Sequence, residues 1–262
     1  MFALRLLGTP QITHNQQPID NLPAAKSQAL LFYLACRGRV QSRLALSGLL
    51  WPDKSDGEAR MNLRQALYQL RQTLPGLIDA SRETIALSHD RAPEVDVLLF
   101  QQEITRGLAG HWTDLRAAAD RYQGDFLSGF YLDDTPGFEE WMLVERERLR
   151  GLALQAFHQL AHYFTRQKEL GTGLIYAGQL LALEPLREES HQQMMRLLAS
   201  DGQIGAALAQ YERCRQLLSE ELGVAPSAET IALYEAIMVG QVNQSRPQVT
   251  SPASPSPHNL PA

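Results

Sequence analysis

The stretch SDGEARMNLRQALYQLRQTLPG, residues 55–76, decides the fold of the first part of this chain. It opens with Ser55 and, three residues later, Glu58. In this S-x-x-E pattern the serine hydroxyl and the glutamate carboxylate cap the first amides of a helix reciprocally. The stretch closes with Pro75-Gly76, which does not continue a helix. The sequence therefore predicts one helix from about residue 56 to about Leu74.

This helix has an apolar face and a polar face when its residues are placed at about 100° per residue. The apolar stripe, which we expect to anchor the helix in the core, contains Leu63, Leu67, Leu70 and Leu74. The opposite face carries amides and a hydroxyl, and arginines flank it. Because glutamine can pair with adenine and arginine with guanine or phosphate, the pattern indicates a DNA recognition helix. A merely solvated helix face is also polar, and that alternative stays open here.

The surrounding sequence predicts a winged helix-turn-helix. The predicted elements are strands at residues 2–7, 11–14 and 17–19, helices at about 24–38, 42–52 and 55–74, and strands at 77–80 and 84–87. Ser42 is expected to cap the second helix, and Pro52 ends it. The last two strands form a hairpin, the wing, with Arg82 at its tip.

Nine residues are candidates for contact with DNA. We expect contacts to base edges from Arg64, Gln65, Tyr68, Gln69 and Gln72. We expect contacts to phosphates from Arg43, Arg60, Arg71 and Arg82.

From Val95 onward the sequence predicts helices, with breaks near Gly110, residues 124–134, Gly171 and Gly202. Apolar positions recur at a spacing of 34 residues, the tetratricopeptide period. The matched pairs are Phe157 and His191, Leu160 and Met194, Ala161 and Met195, Phe164 and Leu198, Gly173 and Ala207, Ala177 and Tyr211, and Leu180 and Cys214. An ordinary helical domain with coincidental spacing is the alternative.

These patterns predict three segments and one fold class. We expect a winged-helix domain at residues 1–92, an all-α tetratricopeptide-like domain at 93–240, and a tail or linker rich in proline and serine at 241–262. The fold class is therefore mainly α, with an α+β winged helix-turn-helix followed by helical repeats. The proline-rich end is also compatible with a natural protein that continues further.

Charge and composition favour a regulator with different partners for its two parts. Residues 1–91 contain 11 Lys/Arg and 7 Asp/Glu, a net charge of +4, whereas the remaining residues carry 13 and 22, a net charge of −9. The 262 residues include only two cysteines, Cys36 and Cys214. No apolar run reaches the roughly 18 residues of a membrane span, and the first residues lack the pattern of a secretory signal. We therefore expect a cytoplasmic protein without a membrane segment.

The sequence contains no recognisable catalytic constellation. His158 and His162 are spaced as in the zinc-protease motif H-E-x-x-H, but Gln159 occupies the glutamate position. The glycine-rich phosphate-binding motifs G-x-x-x-x-G-K-[ST] and G-x-G-x-x-G are absent. We expect a protein that is not an enzyme and that needs no cofactor or metal.

The chain resembles the SARP-type bacterial transcriptional regulators, which join an OmpR-like winged helix to a bacterial transcriptional activation domain. The resemblance covers about residues 1–240. It rests on KSQALLFYLA (26–35), Ser42-Arg43 with LLWP (49–52), ARMNLRQALYQLR (59–71), VDV (95–97) with Phe100, and LLSEELGVAP (217–226).

This resemblance implies a transcriptional activator. Such a protein would bind direct repeats in promoter DNA as side-by-side protomers, a homo-oligomer on DNA, and would contact RNA polymerase. The third helix would enter the major groove, and the wing would meet the backbone or the minor groove. The competing hypothesis is a protein-interaction module whose helical repeats bind a partner and whose winged helix does not read DNA.

Overall fold

The computed structural model describes residues 1–240, and the predicted tail at 241–262 lies outside the described residues. The described residues divide into two compact units, Met1–Leu160 and a second unit that begins at Ala161. The predicted domains 1–92 and 93–240 stay a prediction, because a spatial unit and a sequence domain need not end at the same residue.

The first unit begins with two small sheets and three helices. Its elements up to the wing are β1 (Phe2–Arg5), β2 (Gln11–His14), β3 (Gln17–Pro18), α1 (Ala25–Arg37), β4 (Gln41–Ser42), α2 (Arg43–Leu50), α3 (Asp56–Thr73), β5 (Ile78–Ala80) and β6 (Thr84–Leu87). The predicted winged helix-turn-helix is confirmed. Two left-handed residues, Asn15 and Gln16, form the turn between β2 and β3, and Gly38 ends α1 with φ 59°.

The sheets include two strands that the sequence pattern did not predict. Strand β4 pairs with β6, which extends the wing to a three-stranded sheet in the order β4-β6-β5. Strand β7 (Glu94–Val95) pairs in parallel with β1, so the first sheet has the order β3-β2-β1-β7. Each of these strands has two residues, which is too short for an alternation of apolar and polar residues to be visible.

Residues beyond the wing also belong to the first unit. They form α4 (Asp96–Leu108), α5 (Trp112–Arg121) and the greater part of α6 (Pro136–Arg166). The carboxylate of Asp96 accepts hydrogen bonds from the amides of Leu6 and Leu7 at 2.8 and 2.9 Å. These bonds connect the start of α4 to the residues that follow β1.

The second unit consists of helices and the turns between them in its described residues, 161–240. After the last turns of α6 it contains α7 (Leu170–Leu183), α8 (Glu188–Ser200), α9 (Ile204–Glu221) and α10 (Ala228–Met238). The 34-residue pairs within this unit occupy equivalent positions, and Gly173, Ala207, Ala177, Tyr211, Leu180 and Cys214 are all buried. A Cβ atom on Gly173 would lie 3.0 Å from Leu197 Cδ2, so this position needs a small residue. The predicted tetratricopeptide-like repeat is confirmed.

Candidate nucleic-acid interface

Helix α3 begins with the capping box that the sequence predicted. Ser55 Oγ accepts from the Glu58 amide, and Glu58 Oε2 accepts from the Ser55 amide at 3.1 Å. The hydrogen bond from the Ser55 hydroxyl, followed by that from its amide, lowers the pKa of Glu58. The start of the helix is therefore fixed by local interactions that leave its middle turns available for a ligand.

The two faces of α3 are separated as the helical wheel predicts. Its buried residues are all apolar: Ala59, Leu63, Ala66, Leu67 and Leu70. Four of the five base-edge candidates are exposed, namely Arg64, Gln65, Tyr68 and Gln72, and Tyr68 keeps 65% of its surface accessible. The fifth, Gln69, is half-buried, and its Oε1 accepts a hydrogen bond from Ser27 Oγ at 2.8 Å. Gln69 is thus held against α1, unlike the other four.

Four arginines line one cleft, which we call the basic cleft. It lies between α3, the first residues of α2 and the wing turn, residues 81–83. Its arginines are Arg43, Arg60, Arg64 and Arg82, and the hydroxyl-bearing residues Ser42 and Ser81 lie beside them. The structure therefore brings three of the four phosphate candidates together with one base-edge candidate. Residues from three separate elements converge here.

The fourth phosphate candidate, Arg71, is exposed about two turns further along α3 than Arg64. Burial, followed by the positive charges of Arg71 and Arg64, lowers the pKa of Arg43. These charges are therefore close enough to repel one another, and a phosphate placed among them would relieve that repulsion. Arg60 lies 3.9 Å from Asp56, but both side chains are largely exposed, so the pair is weak and can yield to phosphate.

The wing turn is closed by its own serine. Ser81 Oγ accepts hydrogen bonds from the amides of Glu83 and Thr84 at 3.2 and 3.0 Å. Arg82 lies between Ser81 and Glu83 in the chain, and its side chain is exposed.

Two features of the interface escaped the sequence patterns. Met61 is 58% exposed on the same face as Gln65 and Tyr68. The helical wheel did not select it as a contact residue because its side chain is apolar. On the other flank of α3, Gln65 and Gln69 line a second groove together with the segment 131–134, which contains Asp133 and Asp134. No pattern within the sequence relates this acidic segment to a helix about 65 residues earlier. We call this second groove the acidic groove.

Two searches over the described part of the chain concern metal ions and membrane-spanning helices. Among residues 1–240, no group of three or more His, Cys, Asp and Glu side chains is arranged to hold a metal ion. Within the same range, no helix is both long enough and apolar enough to cross a membrane.

Comparison with known protein families assigns the chain to one of them. The family model described as "Bacterial transcriptional activator domain" matches residues 95–238, more than half of the chain. The chain belongs to this family. The predicted resemblance to SARP-type regulators is confirmed.

Individual relatives agree with this assignment. The chain is 28% identical to the regulatory protein AfsR of Streptomyces griseus over 243 residues, which cover 85% of this chain and 23% of AfsR. It is 26% identical to the transcriptional regulatory protein MoaR1 of Mycobacterium tuberculosis over 250 residues, covering 86% of this chain and 78% of that relative. The chain thus spans about a quarter of AfsR and most of MoaR1.

A solved structure has the same fold. The structure of Mycobacterium tuberculosis EmbR in complex with a low-affinity phosphopeptide superimposes with a TM-score of 0.66 and 24% sequence identity. The match covers 91% of this chain and 65% of the EmbR chain. It supports the architecture of a winged helix followed by helical repeats.

Proposed function

We propose that this regulator binds duplex promoter DNA through its winged helix and reads part of the sequence with α3. One observation carries the proposal: α3 exposes Arg64, Gln65, Tyr68 and Gln72 on a face that adjoins the basic cleft. Amides and arginines recognise base edges in the major groove, whereas a convergent set of guanidinium groups neutralises phosphates. The same rigid helix therefore supplies both kinds of contact.

In this proposal the site residues divide by their location. Arg64, Gln65, Tyr68 and Gln72 contact base edges in the major groove, and Gln69 does so only if it releases Ser27. Phosphates are contacted by Arg60, Arg71 and Arg82. The wing, with Arg82 at its tip, meets the backbone or the minor groove. With only four excess positive charges in residues 1–91, one protomer binds modestly, and paired protomers on direct repeats bind more tightly.

The helical repeats serve, on this proposal, to associate protomers on DNA and to contact RNA polymerase, with activation of transcription as the outcome. The family assignment supports this role, because the matched relatives are regulators of transcription. A regulator of chromosomal promoters would act in the cytoplasm of a bacterium.

The test is selection of bound duplexes from a randomised pool at about 50 and about 200 mM salt, followed by fluorescence anisotropy on the recovered duplex. A recovered motif in direct repeats about one helical turn apart is the expected result. We expect Arg64→Ala to weaken binding by about tenfold, because it removes one charge-assisted contact. Arg116→Ala, at an exposed position on α5, is the matched control and should leave affinity unchanged. Equal binding by Arg64→Ala and the wild type would contradict the role of this face.

One observation favours a second candidate function. Residues beyond 91 carry a net charge of −9 and include the helical repeats, a scaffold that binds peptides or partner helices in other proteins. If the chain is only such an interaction module, it will bind no duplex even at about 50 mM salt.

A further inference from the structure

Arg43 contacts the wing turn at two points. As the first residue of α2, it donates its main-chain amide to the carbonyl oxygen of Glu83 at 2.9 Å. Its side-chain Nε donates to the carbonyl oxygen of Ser81, also at 2.9 Å. These two carbonyls lie on either side of Arg82. One arginine therefore holds the main chain on both sides of the wing's exposed arginine.

The wing turn does not need Arg43 for its own shape. The hydroxyl of Ser81 already closes the turn through the amides of Glu83 and Thr84. That internal closure leaves open how the turn is oriented relative to α2 and α3. Main-chain contacts contribute to this orientation through the pairing of β4 with β6, at Gln41–Ile85 and Ser42–Thr84, and through the amide of Arg43. The Nε bond of Arg43 adds a side-chain contact to the turn itself.

Arg43 also differs from the other arginines of the basic cleft in exposure. Arg43 is half-buried, whereas Arg60, Arg64 and Arg82 are exposed. A guanidinium that donates to a carbonyl forms a charge-assisted bond, which is stronger than a bond between neutral groups. The half-buried position and the bond at Nε favour a role within the protein over a direct role on the ligand.

We propose that Arg43 is a positioning residue that fixes the wing so that Arg82 faces the same stretch of DNA as Arg60 and Arg64. The inference rests on the proposed DNA-binding function and deepens it, because it separates the arginines of the cleft into three that contact DNA and one, the predicted phosphate contact Arg43, that orients the wing instead.

Substitution with glutamine separates the two roles of Arg43. The amide nitrogen of glutamine stands the same number of bonds from the main chain as Nε of arginine, so Arg43→Gln keeps the donor to Ser81 and removes the charge. On the recovered duplex we expect Arg43→Gln to bind within about threefold of the wild type, and Arg43→Ala to bind about tenfold more weakly. We also expect Arg82→Ala to cost little more in the Arg43→Ala background, because the wing is already misplaced.

Hydrogen exchange provides a readout that does not depend on DNA. In the free 262-residue chain, Arg43→Ala should speed exchange of the main-chain amide of residue 43, which donates to the Glu83 carbonyl, and Arg43→Gln should not. Arg64→Ala is the matched control, since its side chain lines the same cleft on another element. Unchanged exchange in α1 and α3 would show that the variants are folded.

Three outcomes overturn the inference. If Arg43→Gln binds as weakly as Arg43→Ala and the salt slope falls by about 0.9, Arg43 contacts a phosphate directly. Additive losses from Arg43→Ala and Arg82→Ala exclude coupling through the wing. Equal exchange of the residue-43 amide in all variants excludes the positioning role, whether or not the wild type binds DNA. Absence of duplex binding by the wild type is a separate result, and it would overturn the proposed function.

Discussion

Helices α3 and α8 are both amphipathic, but they place their polar side chains differently. In α3 every buried residue is apolar, and the glutamines and arginines of its opposite face are exposed, except for the half-buried Gln69. In α8 three of the buried residues are polar: Ser190, His191 and Gln193. The comparison shows that polar residues on a helix indicate a binding face only where tertiary structure leaves them accessible.

His191 shows what a buried polar residue does in α8. Its Nε2 lies 2.8 Å from the carbonyl oxygen of Pro185, and its Nδ1 lies 2.7 Å from Nε2 of Gln210. Because the carbonyl can only accept, Nε2 carries the proton and Nδ1 accepts from the Gln210 amide. The neutral ring therefore joins α9 to the turn before α8, a structural role without a ligand.

The largest effect is expected from the apolar face of α3. Leu67→Ala should lower the free energy of unfolding of the first unit by about 2–5 kcal/mol, since Leu67 is buried and leaves a cavity. Chemical denaturation of the full chain measures this loss. Leu67→Met should cost less than about 1.5 kcal/mol, and Gln72→Ala, on the exposed face, should stay within about 0.5 kcal/mol. A large loss in Gln72→Ala would contradict the separation of the two faces.

The next largest effect should come from His191. His191→Ala leaves the Pro185 carbonyl and the Gln210 amide without this partner, and we expect a loss of about 1–3 kcal/mol in the stability of the second unit. Thermal unfolding followed by circular dichroism measures it. Arg196→Ala, at an exposed position of the same helix, is the control. If the two variants were equally stable, α8 would not depend on its buried polar residues.

A smaller effect should appear as a dependence on pH. Burial lowers the pKa of His191, and Arg213 lowers it further, while the bonds to Pro185 and Gln210 and the charge of Glu188 oppose the shift. The unfolded chain therefore binds a proton more readily than the folded chain. The contribution of His191 to stability is present above about pH 6.5 and is lost as the pH falls towards its lower folded pKa.

Denaturation of the wild type and of His191→Gln at several pH values between about 5 and 7 tests this sign. The stability advantage of the wild type should shrink as the pH falls. A constant difference across this range would show that His191 does not titrate differently in the folded chain.

The smallest effect concerns the acidic groove. Removing both charges with Asp133→Asn and Asp134→Asn should tighten duplex binding by about twofold, because like charges beside α3 repel phosphates. Asparagine also tolerates the left-handed backbone of Asp134, whose φ is 55°. Anisotropy at low salt should reveal the gain, and high salt should abolish it. Asp120→Asn, at an exposed position of α5, is the control.

Much of the fold could be predicted because its signals are local. The capping box at Ser55, the stop at Gly38 and the spacing of the leucines in α3 all act within a few residues or turns of one another. The 34-residue period likewise predicted the helical repeats. These features depend on backbone capping and on side-chain periodicity, which a single sequence displays directly.

Non-local contacts explain what the patterns missed. His191 occupies the repeat position equivalent to that of the apolar Phe157. No local signal showed that Gln210 would form a hydrogen bond with the buried imidazole ring. In the same way, Gln69 shares the polar character of Gln65, yet a hydrogen bond to Ser27, 42 residues earlier, holds it against α1. Such partners come together only when the chain folds.

The sequence by itself determined the order of the helices and the longer strands, the helical repeat and most of the residues that α3 turns outward, because periodicity and caps are encoded by neighbours along the chain. Only the tertiary structure decided that Arg43 binds the main chain beside Arg82 and that an acidic segment flanks α3. The physical reason is that these arrangements join residues about 40 to 70 positions apart, and their geometry depends on how helices and sheets pack around a shared core.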